Sequence, residues 1–114
     1  MNSNWLIYNN GKTIGETGSE NGEIILDEEH SLGARVSLEK DGDIAPFSIT
    51  LGIYGLLLHT DFYSDIDSAK LFFNTFKQKI EVVLKHYSIP ENKRNSDWQN
   101  QLNQLVDDLV YKTN

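Results

Sequence analysis

Apolar and polar residues follow two different periods along this chain, and the change comes near residue 64. The segment Ala34-Arg35-Val36-Ser37-Leu38-Glu39-Lys40 alternates residue by residue. Ala34, Val36 and Leu38 fall on one side, Arg35, Ser37 and Glu39 on the other. A period of two with one polar face predicts a half-buried antiparallel strand. From Asp65 to Tyr87 the apolar positions are Ala69, Phe72, Phe73, Phe76, Ile80, Val83, Leu84 and Tyr87, which form one helical stripe. A second stripe, Trp98, Leu102, Leu105, Val106, Leu109 and Val110, predicts a helix from about Asp97 to Tyr111. Ser64 with Asp67, and Ser96 with Gln99, offer a capping box at each start. Pro90, inside the connecting segment Ser88–Asn95, stops the first helix, and so short a connection predicts antiparallel neighbours. Burying the eight side chains of the first stripe is worth on the order of 10–20 kcal/mol before chain entropy is subtracted. That helix must therefore lie on something apolar, and the inward face of a sheet is the available partner.

The remaining strands are read from turn signals. Trp5 to Tyr8 is the first. Asn9-Asn10-Gly11 accepts the positive φ angles of a type I′ hairpin turn, and Lys12 to Gly15 is the expected return strand. Gly15 to Gly22 is a loop by composition, expected to be a flexible hairpin connection. Glu23 to Glu29, with Ile24-Ile25-Leu26, reads as a short strand, broken after Leu32-Gly33. Asp41-Gly42 marks another turn. The apolar stretch Phe47 to Tyr63 is too long for one average strand. Gly52 and Gly55 divide it into Phe47–Ile53 and Leu56–Phe62.

All eight glycines lie at or before Gly55, as expected of a strand-and-turn half followed by a helical half. The predicted fold is α+β: an antiparallel sheet of four to six strands followed by two C-terminal helices packed on one face. The 114 residues suit a single domain, with strands and turns over 1–63 and helices over 64–114. The other sheet face is expected to be partly exposed and acidic.

Composition narrows the function classes. With no cysteine, disulfides, thiolate zinc sites, iron–sulfur clusters and thiol nucleophiles are excluded, and a reducing cytoplasm fits. The start, Met1-Asn2-Ser3-Asn4-Trp5, lacks the basic and apolar regions of a secretory signal. The longest nearly apolar run, Ile53 to Leu58, falls far short of the about 20 residues a bilayer span needs. The net charge is −7, and its distribution matters more than its size. Residues 1–63 carry three basic against ten acidic side chains, while residues 64–114 carry seven of each. An acidic sheet half disfavours nucleic acid and anionic membranes as partners. Lys93-Arg94 is the only basic pair. Lys77, Glu81 and Lys85, at i, i+4 and i+8, read as a solvated ion-paired helix face.

Candidate chemistry is sparse. His59-Thr60-Asp61 sets a histidine and a carboxylate on one strand face, as one ligand or metal requires. A metal needs three or four ligands, however, and spacing supplies no others. In Asp27-Glu28-Glu29-His30, alternation puts Asp27 and Glu29 on one face and Glu28 and His30 on the other. Without a pocket to separate their pKa values, these carboxylates read as a solvated strand edge that resists association. The Gly15–Gly22 loop has neither a Walker sequence nor a dinucleotide fingerprint, and Glu16 and Glu20 would repel phosphate. His86 reads as structural. No Gly-x-Ser-x-Gly elbow occurs, and Phe72, Phe73 and Phe76 are core positions. No catalytic residue, metal or cofactor is assigned.

Two functional readings follow. The first is a non-enzymatic interaction module, adaptor-like or immunity-like, whose acidic sheet surface engages a basic protein through Glu28, Glu29, Asp41 and Asp43. The second is a small ligand-binding or enzymatic domain with a pocket between sheet and helices, its polar groups Tyr54, His59 and Asp61. A third possibility is a homodimer joined through a sheet edge or the outer sheet face.

Overall fold

A computed structural model describes residues 4–111; Met1, Asn2 and Ser3 at the start lie outside the described residues. Five strands follow one another, β1 (Trp5–Ile7), β2 (Glu23–His30), β3 (Ala34–Lys40), β4 (Phe47–Ile53) and β5 (Leu57–Tyr63). Two helices complete the chain, α1 (Ile66–Tyr87) and α2 (Ser96–Val110). The strands form an antiparallel meander in the order β1-β2-β3-β4-β5. The fold is α+β, as the two periods require.

The inner face is built from the apolar half of each alternation. Val36 pairs across the sheet with Leu51, and Leu38 with Ile49. All four are fully buried, together with Ala34. Against them α1 lays Ala69, Phe73, Phe76, Ile80, Val83 and Leu84, and α2 adds Trp98, Leu102 and Leu109. Phe72 and Tyr87, at the edges of the α1 stripe, are half-buried against the same core. Each helix is capped one residue from its expected serine. Asp65 accepts from the backbone N–H of Ser68 at 2.8 Å, and Asn95 from that of Trp98 at 2.9 Å. In each case the side-chain oxygen satisfies a backbone amide of the first turn that has no partner within the helix. His86 is structural as read: its ring stacks on Trp98 and its Nε2 donates to the Trp98 carbonyl at 2.8 Å.

The N-terminal region departs from expectation. Asn9 and Asn10 do adopt positive φ, 49° and 57°, but they sit in a tight 3-10 turn over Tyr8–Gly11 rather than a two-residue hairpin loop. No return strand forms over Lys12–Gly15. Instead β1 pairs directly with β2, Trp5 opposite His30, and residues 12–22 run across the outer face of the sheet. β2 is therefore an interior strand, and its carboxylates are not a solvated edge. A second departure lies inside β2. The register shifts between Ile24 and Leu26, so that Ile24 opposes Glu39 while Leu26 opposes Leu38. This bulge at Ile25 turns Ile24 to the outer face, where it is nonetheless buried. The β4–β5 hairpin turns at Tyr54-Gly55-Leu56, with Gly55 at φ 78° and Leu56 N–H donating to the Ile53 carbonyl at 2.9 Å. That positive φ is why a glycine stands there.

The charged face expected on α1 does not pair within the helix. Lys77 reaches the sheet and meets Glu28 at 2.7 Å, and Glu81 meets His30 at 3.0 Å. The backbone N–H of Leu32 donates to His30 Nδ1 at 3.0 Å. That leaves Nε2 as the protonated nitrogen that donates to Glu81. These contacts tie α1 to β2 and match two of the sheet's polar groups with helix side chains.

Candidate functional site: a groove on the outer sheet face

A concavity of about 780 Å³ lies on the face away from the helices. Its floor is the outward half of the β3 and β4 alternation: Arg35, Ser37 and Glu39 from β3, Thr50 and Gly52 from β4. One wall is the segment Thr13 to Ser19, and the other is the β4–β5 turn from Tyr54 to Leu58.

The first wall is held in place by two buried acids of the sheet. Asp27, pointing outward from β2, accepts from Thr13 Oγ1 at 2.7 Å and from Arg35 Nε and Nη2 at 2.9 and 2.6 Å. The Arg35 guanidinium also lies 3.7 Å from the centre of the Tyr8 ring. Hydrogen bonding to Asp27 holds this guanidinium above its ordinary pKa. Glu39, only 1% exposed, is the second anchor. Its Oε1 accepts from the backbone N–H groups of Glu20 and Gly22, both at 3.1 Å. Ser19 Oγ lies 3.4 Å from Oε2. Two main-chain amides thus converge on one oxygen of this buried carboxyl group. Gly18 makes this possible: a Cβ there would stand 2.3 Å from the Glu39 carboxyl carbon. The loop read as a flexible connection is therefore clamped onto the sheet. Gly15 and Ile24 reinforce it, through Gly15 N–H to the Ile24 carbonyl at 2.8 Å and Ile24 N–H to the Glu16 carbonyl at 2.9 Å.

The rest of the lining is hydroxyls, apolar side chains and one phenol. Thr50 and Thr60 share a hydrogen bond at 3.1 Å, and Ser19 Oγ lies 3.4 Å from Thr50 Oγ1. Tyr54 donates to Glu29 Oε2 at 2.6 Å. Burial first, and then that hydrogen bond, push its phenol up to about 12. Leu56, Leu57 and Leu58 make the wall apolar, with Leu58 77% exposed. Among the described residues the cation in the lining is Arg35, already engaged by Asp27, whereas Glu16 and Glu39 are in it and Glu29 borders it.

The sequence-derived candidates are dispersed. Glu28 faces the helices and Lys77, while Glu29 faces outward and Tyr54. Asp41 and Asp43 sit in the β3–β4 turn, at the other end of β3 from the residues opposite Glu28 and Glu29. Asp43 accepts from Asn21 Nδ2. Tyr54 lines the outer groove, but His59 and Asp61 lie on the opposite face of β5, with Nε2 to Oδ1 at 3.1 Å. A smaller cleft, about 290 Å³, lies between β1 and α1 and is lined by other residues: Trp5, Asn74, Lys77, Gln78 and Glu81. Thr13, Gly18, Ser19, Arg35 and Glu39 were missed as site residues. Spacing signals none of them, because the outer face of an alternating strand reads as solvent-facing.

Among the described residues no three His, Asp or Glu side chains are placed to hold a metal ion, and no helix is long and apolar enough to cross a membrane. Comparison with protein-family models, with curated proteins and with solved structures gives no match.

Proposed function

We propose that this protein is a non-enzymatic binding module whose outer-face groove receives a basic, extended segment of a partner protein. The lining carries the reading. Glu16, Glu39 and the bordering Glu29 give it negative potential, Arg35 is neutralised in place by Asp27, and Leu56 to Leu58 offer an apolar wall to aliphatic stems. A lysine or arginine side chain has that same combination of apolar stem and cationic head. The acidic excess of residues 1–63 adds a long-range field that speeds encounter with a basic partner. The groove also brings no histidine to a hydroxyl: His59 lies across the sheet, and His30 and His86 are engaged with Glu81 and Trp98. The absence of cysteine from the sequence supports a cytoplasmic setting for this interaction.

The test is a titration with a lysine-rich decapeptide, followed by amide shifts in heteronuclear NMR. Shifts concentrated in Thr13–Ser19 and Thr50–Leu58, abolished near ~0.5 M salt where the Debye length is only a few ångströms and weakened by Glu16→Lys, support the reading. Shifts that follow the Asp41–Asp43 turn or the helices, or no binding at low salt, overturn it.

A further inference from the structure

The two edges of the sheet are unlike. Among the described residues β1 spans only Trp5–Ile7, whereas β5 spans seven residues, Leu57–Tyr63, and pairs with β4 alone. A free edge presents a row of main-chain N–H and C=O groups that another strand can complete, and natural edges are blunted by brevity, lysine, proline or bulges. β5 has none of these; its one charged side chain, Asp61, turns to the helix face, where it is matched by His59 of the same strand at 3.1 Å. Its register with β4 is unbroken from Phe47 opposite Tyr63 to Ile53 opposite Leu57. On the outer face Leu58 is 77% and Phe62 40% exposed.

The sequence of β5 is complementary to itself about Thr60. When a second β5 is laid antiparallel with Thr60 opposite the partner's Thr60, Leu58 stands opposite the partner's Phe62, and Phe62 opposite the partner's Leu58. On the helix face His59 stands opposite the partner's Asp61, and Asp61 opposite the partner's His59. Leu57 meets the partner's Tyr63. Opposed residues in an antiparallel pair share a face, so apolar meets apolar outside and imidazole meets carboxylate inside. Moving the axis one residue, to Asp61, sets two carboxylates opposite each other and His59 opposite the partner's Tyr63, which is unfavourable. A two-fold interface must match itself in this way, and a strand selected for an unrelated partner need not.

We propose that β5 is a homodimer edge: two copies join antiparallel through β5 with a two-fold axis at Thr60, and two five-stranded sheets become one of ten. This does not depend on the groove reading, and it is measured without any added partner. The chain has no cysteine, so Thr60→Cys introduces one thiol per copy. Opposed Cα atoms lie about 4.5–5.5 Å apart, within the span of a disulfide. Mild oxidation should convert Thr60→Cys to a covalent dimer, while Leu32→Cys, exposed in the β2–β3 turn, should stay largely monomeric. In sedimentation the native chain should run at twice its 13.0 kDa, and Leu58→Lys should shift it to monomer. Adding Phe62→Glu to Leu58→Lys should restore the dimer, because the new lysine then faces the partner's new glutamate on both sides of the axis. Within one chain those positions are about 13 Å apart along the strand, so rescue reports the intermolecular register alone. A native chain that is monomeric at high micromolar concentration, oxidation of Thr60→Cys no faster than of Leu32→Cys, or a charge pair that fails to rescue while retaining a cooperative unfolding transition overturns the proposal.

Discussion

Gly18→Ala tests whether the loop over residues 12–22 is clamped to the sheet by Glu39. The added Cβ would lie 2.3 Å from the Glu39 carboxyl carbon and 2.5 and 2.6 Å from its two oxygens. No side chain tolerates that approach, so either the loop lifts or the carboxylate turns away. Both separate Glu39 Oε1 from the N–H groups of Glu20 and Gly22. Hydrogen bonds to a charged group contribute about 1.5–3 kcal/mol each, and a buried carboxylate left short of donors adds a desolvation cost. Partial re-solvation as the loop lifts offsets part of this. Alanine also restricts the unfolded chain, worth about 0.4–1 kcal/mol in the opposite direction. The expected net loss is about 2–3 kcal/mol, read as a lower urea midpoint at unchanged slope. The decisive comparison is a double-mutant cycle. In a Glu39→Ala background the obstruction is gone, so Gly18→Ala should become neutral or slightly stabilising, a coupling of about 2 kcal/mol. An equal cost in both backgrounds, or a cost below about 0.5 kcal/mol in the native one, refutes the clamp.

Two further expectations concern the sheet and the first helix. Ser48 Oγ is buried with no hydrogen-bond partner among the described residues, so Ser48→Ala should leave stability unchanged or raise it by up to about 1 kcal/mol; a loss above about 1 kcal/mol by urea denaturation would contradict that. Hydrogen bonding from the Ser68 backbone, then from its hydroxyl, holds Asp65 below the usual carboxylate range. A lowered folded pKa contributes stability that is complete above the unfolded value and is lost as pH falls through the folded one. Asp65→Asn keeps the cap acceptor but not the charge, so native and variant urea midpoints should differ near neutrality and converge in acid; parallel curves would show that the charge contributes nothing.

What the sequence discloses and what it conceals divide along a physical line. Ala34–Lys40 and Phe47–Ile53 are legible to the residue because each alternation buries one face against a helical stripe that is itself periodic. β5 is displaced by a single residue, since Leu56 completes the turn after Gly55 instead of opening the strand. The groove is hidden for the opposite reason. Glu39 occupies an outward position and reads as a solvated surface residue, yet a loop seventeen to twenty residues earlier covers it. That loop looks flexible from its glycines. Its order comes from Asp27 and Glu39, and no local pattern announces a distant carboxylate. Ile24 is concealed similarly, because the bulge at Ile25 inverts the alternation for part of one strand only. The acidic excess of the first 63 residues is plain in the composition. That Lys77 would cross from α1 to Glu28 depends on the angle at which the helix meets the sheet.

The strand order has a consequence for how the molecule is born. Every strand pairs with its immediate predecessor in the chain, so the meander is able to zip together by short loop closures while the ribosome is still at work. Its inner surface, from Ala34 through Ile53, has no cover until α1 has left the exit tunnel, and α2 arrives later still. For that interval the nascent platform turns its greasiest side to water, and the helical half of the chain closes the sheet only as the last third of the sequence emerges.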